Sequence, residues 1–138
     1  MKKVFLDTNI IVDFLAVRKE FYTNAAIIMS LGLNKKITLQ AAAMSFGTVS
    51  YLLKKNDADT IKSLIKQFCT YCNVEVVDSD CVVSATESKF DDFEDTMQYR
   101  CAQKAKADYI VTRNIKDFKD SEVPVLTPED FLKAIINN

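Results

Sequence analysis

The chain of 138 residues contains no histidine and no tryptophan, only two glycines and two prolines, and no long uninterrupted apolar stretch. Each absence removes a class of function. Without imidazole there is no histidine base, nucleophile or metal ligand, so any catalysis must be led by carboxylates. With only Gly32 and Gly47, neither a phosphate-cradling loop nor a dinucleotide fingerprint can be written, and nucleotide cofactors are not expected. The apolar run from Ile10 to Val17 is broken by Asp13 and falls far below the roughly 20 residues needed to cross a bilayer. Lys2 and Lys3 precede apolar residues as in an export signal, but Asp7 and Asp13 interrupt the segment and no small-residue cleavage site follows, so a cytoplasmic protein is expected. The formal net charge of −1 excludes a broad electrostatic grip on nucleic acid and leaves only local basic patches for it.

What remains is ordinary globular material, with 49% hydrophobic and 27% charged residues, enough to build one core and too little chain for two domains. A single domain over 1–138 is expected. Four cysteines, Cys69, Cys72, Cys81 and Cys101, fall mostly in amphipathic helical patterns and are expected as buried, reduced thiols. The pair Cys69 and Cys72 has redox or zinc spacing, but it closes a helical pattern instead of following a strand, which disfavours both uses.

Lys3-Val4-Phe5-Leu6 is a short apolar run without alternation, the signature of a strand covered on both faces. Ile37 to Leu39, Val74 to Val77 and Tyr109 to Thr112 resemble it, and Val123 to Leu126 with Pro124 suits an edge strand. Between them the period becomes helical: Ile61, Leu64, Ile65, Phe68 and Cys72 share one face, with Asp57 or Asn56 as the cap. Thr127-Pro128-Glu129-Asp130 opens a terminal helix with a capping hydroxyl, a first-turn proline and two acids that suit the helix dipole. Strands alternating with helices predict an α/β fold of three layers, α/β/α, around a mostly parallel sheet of about five strands.

In such sheets ligands bind at the carboxyl ends of the strands. Asp7 ends the first strand, Thr112, Arg113, Asn114 and Asp117 follow the fourth, and Asp91, Asp92, Glu94 and Asp95 open the helix leading into it. Asp92 and Asp95 lie three apart on one helix face. Carboxylates gathered within about 5 Å repel by roughly 3 kcal/mol per pair at an effective dielectric near 20, so a convergent cluster calls for a cation. Oxygen-only donors favour magnesium or manganese over zinc. Taken singly, Asp91, Asp92 and Glu94 are also ordinary helix caps, Asp13 an ordinary solvated residue of the first helix, and Asp117 the cap of a short turn.

At these residues the sequence resembles a PIN domain, the nuclease fold of VapC-like toxins. Val4-Phe5-Leu6-Asp7-Thr8-Asn9-Ile10-Ile11 is similar to the family's first strand and leading acid. Phe93-Glu94-Asp95-Thr96-Met97-Gln98 is similar to its second acidic segment, and Ala107 to Phe118 to its last. The resemblance implies a ribonuclease using Mg2+ (or Mn2+), with Asp7, Asp95 and Asp117 as metal ligands and Asn114 sharing the last position. Thr8, Asn9 and Thr112 would orient ligands or water, with Asp92 in support. Thr48 stands where the family carries a glutamate, which implies either a weakened metal site or a domain that binds RNA or protein without cutting. The resemblance further implies an RNA substrate, an antitoxin partner and a homodimer. Arg113 and Lys116, with Lys35, Lys36, Lys54, Lys55 and Lys119, are the expected phosphate contacts. Phe14, Phe21, Met44 and Phe46 are assigned to an interface or to the core. A response-regulator-like phosphoacceptor domain also uses strand-end aspartates, but its paired-acid loop and late lysine are not found in matching positions.

Overall fold

The computed structural model describes residues 1–90 and 92–137; Asp91, grouped with the acids above, lies outside them. Five strands, β1 (Lys3–Leu6), β2 (Thr38–Ala42), β3 (Cys72–Glu75), β4 (Tyr109–Val111) and β5 (Val125–Leu126), form one sheet in the order β3-β2-β1-β4-β5. Every pairing is parallel, with Val4 opposite Leu39 on one side and opposite Tyr109 on the other. Parallel neighbours need a crossover, and these are supplied by α1 (Thr8–Leu15), α2 (Tyr22–Leu33), α3 (Ser45–Leu52), α4 (Ala58–Phe68), α5 (Ser79–Thr86) and α6 (Phe93–Lys104). A 3-10 turn over Ile115–Phe118 and a last helix, α7 (Pro128–Ile136), complete the chain.

Side-chain alternation along the central strands divides the core in two. Val4, Leu6, Leu39, Ala41 and Val111 face the cluster built with α1, α2, α3, α4 and α7, where Ile10, Ile28, Val49, Phe68 and Phe131 are fully buried. Phe5, Ala42 and Ile110 face the smaller cluster with Cys81 of α5, Cys101 and Ala102 of α6, and Phe118. Both faces of β1 are therefore dry, as its unbroken apolar run requires. Three layers, α/β/α, result, and no helix of the described residues is long and apolar enough to cross a membrane.

Caps fall where local chemistry puts them. Asp57 accepts from Thr60 N at 2.7 Å to start α4, and Thr127 Oγ1 accepts from Asp130 N at 3.1 Å to start α7. The expected helix face running on to Cys72 is corrected: α4 ends at Phe68, and Cys72 opens β3. Cys72 still packs in the same cluster as Phe68, which is why an apolar helical period reached it; its backbone is instead claimed by pairing with Leu39. The same pairing starts β3 two residues before the apolar run at Val74, and Val76 is left exposed beyond its end. All four cysteines are free thiols, but Cys69, at the end of α4, is exposed and not buried as expected.

Candidate active site at the sheet switch point

The sheet order reverses between β1 and β4, since the chain runs from β1 outward through β2 and β3 on one side and through β4 and β5 on the other. Outside the carboxyl ends of two such strands neither connection covers the crevice. Asp7 occupies that point: its N–H donates to Val111 O at 3.0 Å, joining the ends of β1 and β4. Asp7 is the residue before α1, yet its side chain makes no capping bond. Its carboxylate turns to two side chains instead. Thr112 Oγ1 donates to Oδ2 at 2.7 Å, and Gln98 Nε2 donates to Oδ1 at 3.2 Å, all three residues being buried.

Those donors are themselves held. Asn114 N donates to Thr112 Oγ1 at 3.0 Å, so the hydroxyl proton is directed at Asp7. Thr8 Oγ1 donates to Gln98 Oε1 at 3.4 Å and lies 2.7 Å from the hydroxyl of buried Ser45. With Thr8 donating to Gln98, Ser45 donates to Thr8, and a directional chain runs from α3 through α1 and α6 to the Asp7 carboxylate. Ser45 and Gln98 were not singled out in the sequence. Gln98 was detectable in principle as a polar residue three positions after Asp95; Ser45 carried no signal beyond its place in the first turn of α3.

The electrostatics are those of unrelieved negative charge. Burial pushes the Asp7 carboxyl up from its usual range, the hydrogen bonds from Thr112, Gln98 and the Thr8 backbone oppose this, and the charge of Asp117 adds to it. Asp95, half-buried in the first turn of α6, is pushed up to about 7 by burial and then by Asp7, Asp92, Asp117 and Glu94. Glu94 is raised by burial and by Asp92 and Asp7. Among the described residues no lysine or arginine makes an ion pair with Asp7, Asp95 or Asp117. The segments the sequence put together are thus within electrostatic reach of one another, but among the described residues no three Asp, Glu or Cys side chains already converge on one ion. Such a donor set fits a hard cation held by one or two carboxylates with water in its other positions.

The remaining expected residues divide. Asp92 spends one carboxylate oxygen capping α6, accepting from Asp95 N at 2.9 Å, and borders a small recess of about 60 Å³ that it shares with Lys116 and Asp117. Asn9 is half-buried in the first turn of α1, and Thr48 is half-buried on α3, one turn beyond Ser45. Asp13 is not a solvated residue of α1. It is 1% exposed, and Arg113 grips it through Nε at 2.8 Å and Nη2 at 3.3 Å, with Arg18 Nη1 at 3.4 Å. Arg113 also lies over the Phe21 ring, 3.9 Å from its centre. The polar helix position was read as wet because its partner sits 100 residues away.

A doubly covered parallel sheet with acidic side chains at its switch point defines the chain as an α/β domain of the open, doubly wound class. The family model described as PIN domain matches residues 3–116, and the chain belongs to the PIN-domain family, with VapC-like members as its relatives. The Ribonuclease VapC1 of Aquifex aeolicus (strain VF5) is 31% identical over 135 residues, covering 94% of this chain and 93% of that protein. Among solved structures, VapBC2 from Rickettsia felis bound to a promoter DNA fragment matches with a TM-score of 0.64 at 20% identity, over 90% of this chain and 96% of that one. FitAcB from Neisseria gonorrhoeae matches with 0.66 at 13% identity, over 91% and 98%. At these identities the two structures support the fold alone.

Proposed function

We propose that this chain is a magnesium- or manganese-dependent endoribonuclease, the toxin of a toxin–antitoxin pair. The observation that carries the reading is the raised carboxyls of Asp7 and Asp95 at the switch point, with the charge of Asp117 acting on both and no cation of the described residues paired to any of the three. That arrangement is costly to the fold unless a cation relieves it, and the ribonuclease relative lends the substrate class. A bound divalent ion would supply activation of water and charge relief on the scissile phosphate. The chain's own part is orientation. Thr112 and Gln98 fix the Asp7 carboxylate, α6 presents Asp95, and the turn after β4 presents Asp117 with Asn114 beside it. Lys116, exposed next to Asp117, is the proposed phosphate contact.

RNA cleavage by the purified chain with manganese is expected to vanish with chelator and in Asp7→Asn and Asp95→Asn. Equal cleavage by all three proteins, with or without chelator, overturns the assignment. An antitoxin partner and a homodimer belong to the same reading, which rests on the likeness to the VapC ribonuclease. An apolar groove of about 540 Å³ between α1, α2 and α4, lined by Phe14, Tyr22, Met29, Leu33 and Tyr71, is the surface available to such partners.

A second reading rests on Thr48, a hydroxyl where the resemblance calls for a glutamate: a PIN-like module that binds RNA or protein without cutting. Manganese separates the two, because a ligand at 100 times its dissociation constant stabilises by about 2.7 kcal/mol. A melting shift of that size supports the nuclease; no shift at millimolar manganese supports the binding module. In the nuclease case Thr48→Glu is expected to tighten manganese binding.

A further inference from the structure

A cleft of about 340 Å³ opens between the start of α2, the turn after β4 and the start of α7. Its walls include Glu20, Phe21, Asn24, Arg113, Asn114 and Glu129. Asn114 joins it to the catalytic side, since its N–H orients the Thr112 hydroxyl that bonds Asp7.

The chemistry of these walls does not suit a phosphate. Arg113, the cation among the lining residues, already gives Nε and Nη2 to the buried Asp13 carboxylate, and Glu20 and Glu129 add negative charge. What the cleft offers is flat surface and acceptors. The guanidinium plane and the Phe21 ring cover one face of each other at 3.9 Å and both border the cleft; their outer faces are the two kinds of surface on which unpaired bases stack. Around them stand two carboxylates, which only accept hydrogen bonds, and two carboxamides, which donate and accept.

From this set we infer that the cleft is a nucleobase pocket selective for guanine, placed next to the proposed scissile phosphate; the inference deepens the ribonuclease reading and rests on it for its biological use. Guanine is the one common RNA base whose pairing edge carries two adjacent donors, N1–H and the N2 amino group, which a single carboxylate accepts together. Adenine and cytosine place a bare ring nitrogen beside their amino group and repel a carboxylate there. Uracil offers one N–H between two carbonyls. Glu20 and Glu129 are the acceptors, Glu129 exchanging its surface bridge to Lys133, 3.2 Å away and largely in water, for the base. Asn24 and Asn114, also in the walls, carry the amide donors that guanine O6 accepts.

The test has two arms. Without metal, the full chain is titrated by NMR with the four ribonucleoside 5′-monophosphates, which share one phosphate and differ in the base. GMP is expected to bind about tenfold to a hundredfold more tightly than the others, the range of one good two-bond contact, with shifts at Phe21 and Asn24. The preference is expected to disappear in the Glu20→Gln, Glu129→Gln double variant, whose surface changes leave the fold intact by circular dichroism. Equal binding of all four nucleotides, or an unchanged preference in the double variant, overturns the pocket. In the second arm, oligonucleotides with a single guanine at successive positions are cut with manganese present. Cleavage next to guanine in the wild type, lost as a preference in the double variant, supports the pocket, and cleavage indifferent to base overturns it. GMP selectivity in a chain that cuts no RNA with any metal would leave the pocket standing and remove the nuclease reading, so the two fail separately.

Discussion

Two buried aspartates bracket the first helix, and the fold treats them in opposite ways. Asp13, inside α1, receives two arginines, one of them through a two-bond grip and backed by the Phe21 ring. Asp7, just before α1, receives only neutral donors, Thr112 and Gln98, and its charge helps to raise the carboxyls of Asp95 and Glu94. Burying a carboxylate is tolerable only when its charge is met. At Asp13 the chain meets it from within, and the product is a joint that ties α1 to the turn after β4. At Asp7 the chain leaves the charge open. That difference marks Asp13 as architecture and leaves the Asp7 carboxylate without a cation from the chain, as the proposed metal role requires.

The comparison breaks most easily by removing each charge in turn. Asp13→Asn leaves Arg113 without its partner and should lower unfolding free energy by about 2–4 kcal/mol, at or below the usual cost of splitting a buried pair because Arg113 keeps part of its side chain in water. Asp7→Asn in the metal-free protein should cost nothing or stabilise, since it removes a charge the fold disfavours. Urea titrations of both variants check this, and equal destabilisation would abolish the distinction.

Acidity sharpens the same contrast. Asp95 has its folded value raised to about 7 from an ordinary 3.8, and Asp7 is raised as well. For a raised acid the folded state binds the extra proton, so the stabilisation is full below the unfolded value and is lost as pH climbs through the folded one. The metal-free chain should therefore be more stable at pH 5 than at pH 7.5, by roughly 1–2 kcal/mol once the partial exposure of Asp95 is discounted. Asp95→Asn should flatten that slope in thermal melts across the pH range, and a slope unchanged in the variant would locate its cause elsewhere.

Smaller effects probe the supports. Gln98→Met keeps the volume but withdraws a donor from Asp7 and an acceptor from Thr8; a loss of about 1–2 kcal/mol is expected, the range for a buried polar group left short of a partner. It should be accompanied by weaker manganese binding in a calorimetric titration, which a purely structural change would not bring. Arg113→Lys keeps charge but loses the paired geometry and the stacking on Phe21; about 1 kcal/mol is expected by urea titration, well short of the Asp13 variant.

Much of the scaffold was legible along the chain. Lys3 to Leu6 and Tyr109 to Thr112 declared themselves as doubly covered strands, Thr127 as a helix cap, and Asn56 or Asp57 as another, of which the fold uses Asp57, because these signals depend on neighbours within a few residues. The acidic segments were also legible, since strand ends and helix starts are local. Of the partners that give them meaning, Thr112, which meets Asp7 across 105 residues, was expected beside it, whereas Gln98, which meets Asp7 across 91, and the pairing of Arg113 with Asp13 across 100 were not. Cys72 was misplaced for the related reason that its apolar helical spacing is satisfied equally well by packing from a strand.

By itself, then, the order of residues determined the alternation of strands and helices, the lack of any imidazole in the chain, and the placing of acids at a strand end and a helix start. Only the folded chain decided that β1 and β4 lie side by side at the point where the sheet reverses, that Asp13 is neutralised while Asp7 is not, and that a cleft with a guanidinium and an aromatic ring in its walls adjoins the acids. Local propensities are settled by dihedral preferences and the period of apolar side chains, which act over a turn or two. Charge compensation acts through space, and which charges meet is known only when distant segments have packed.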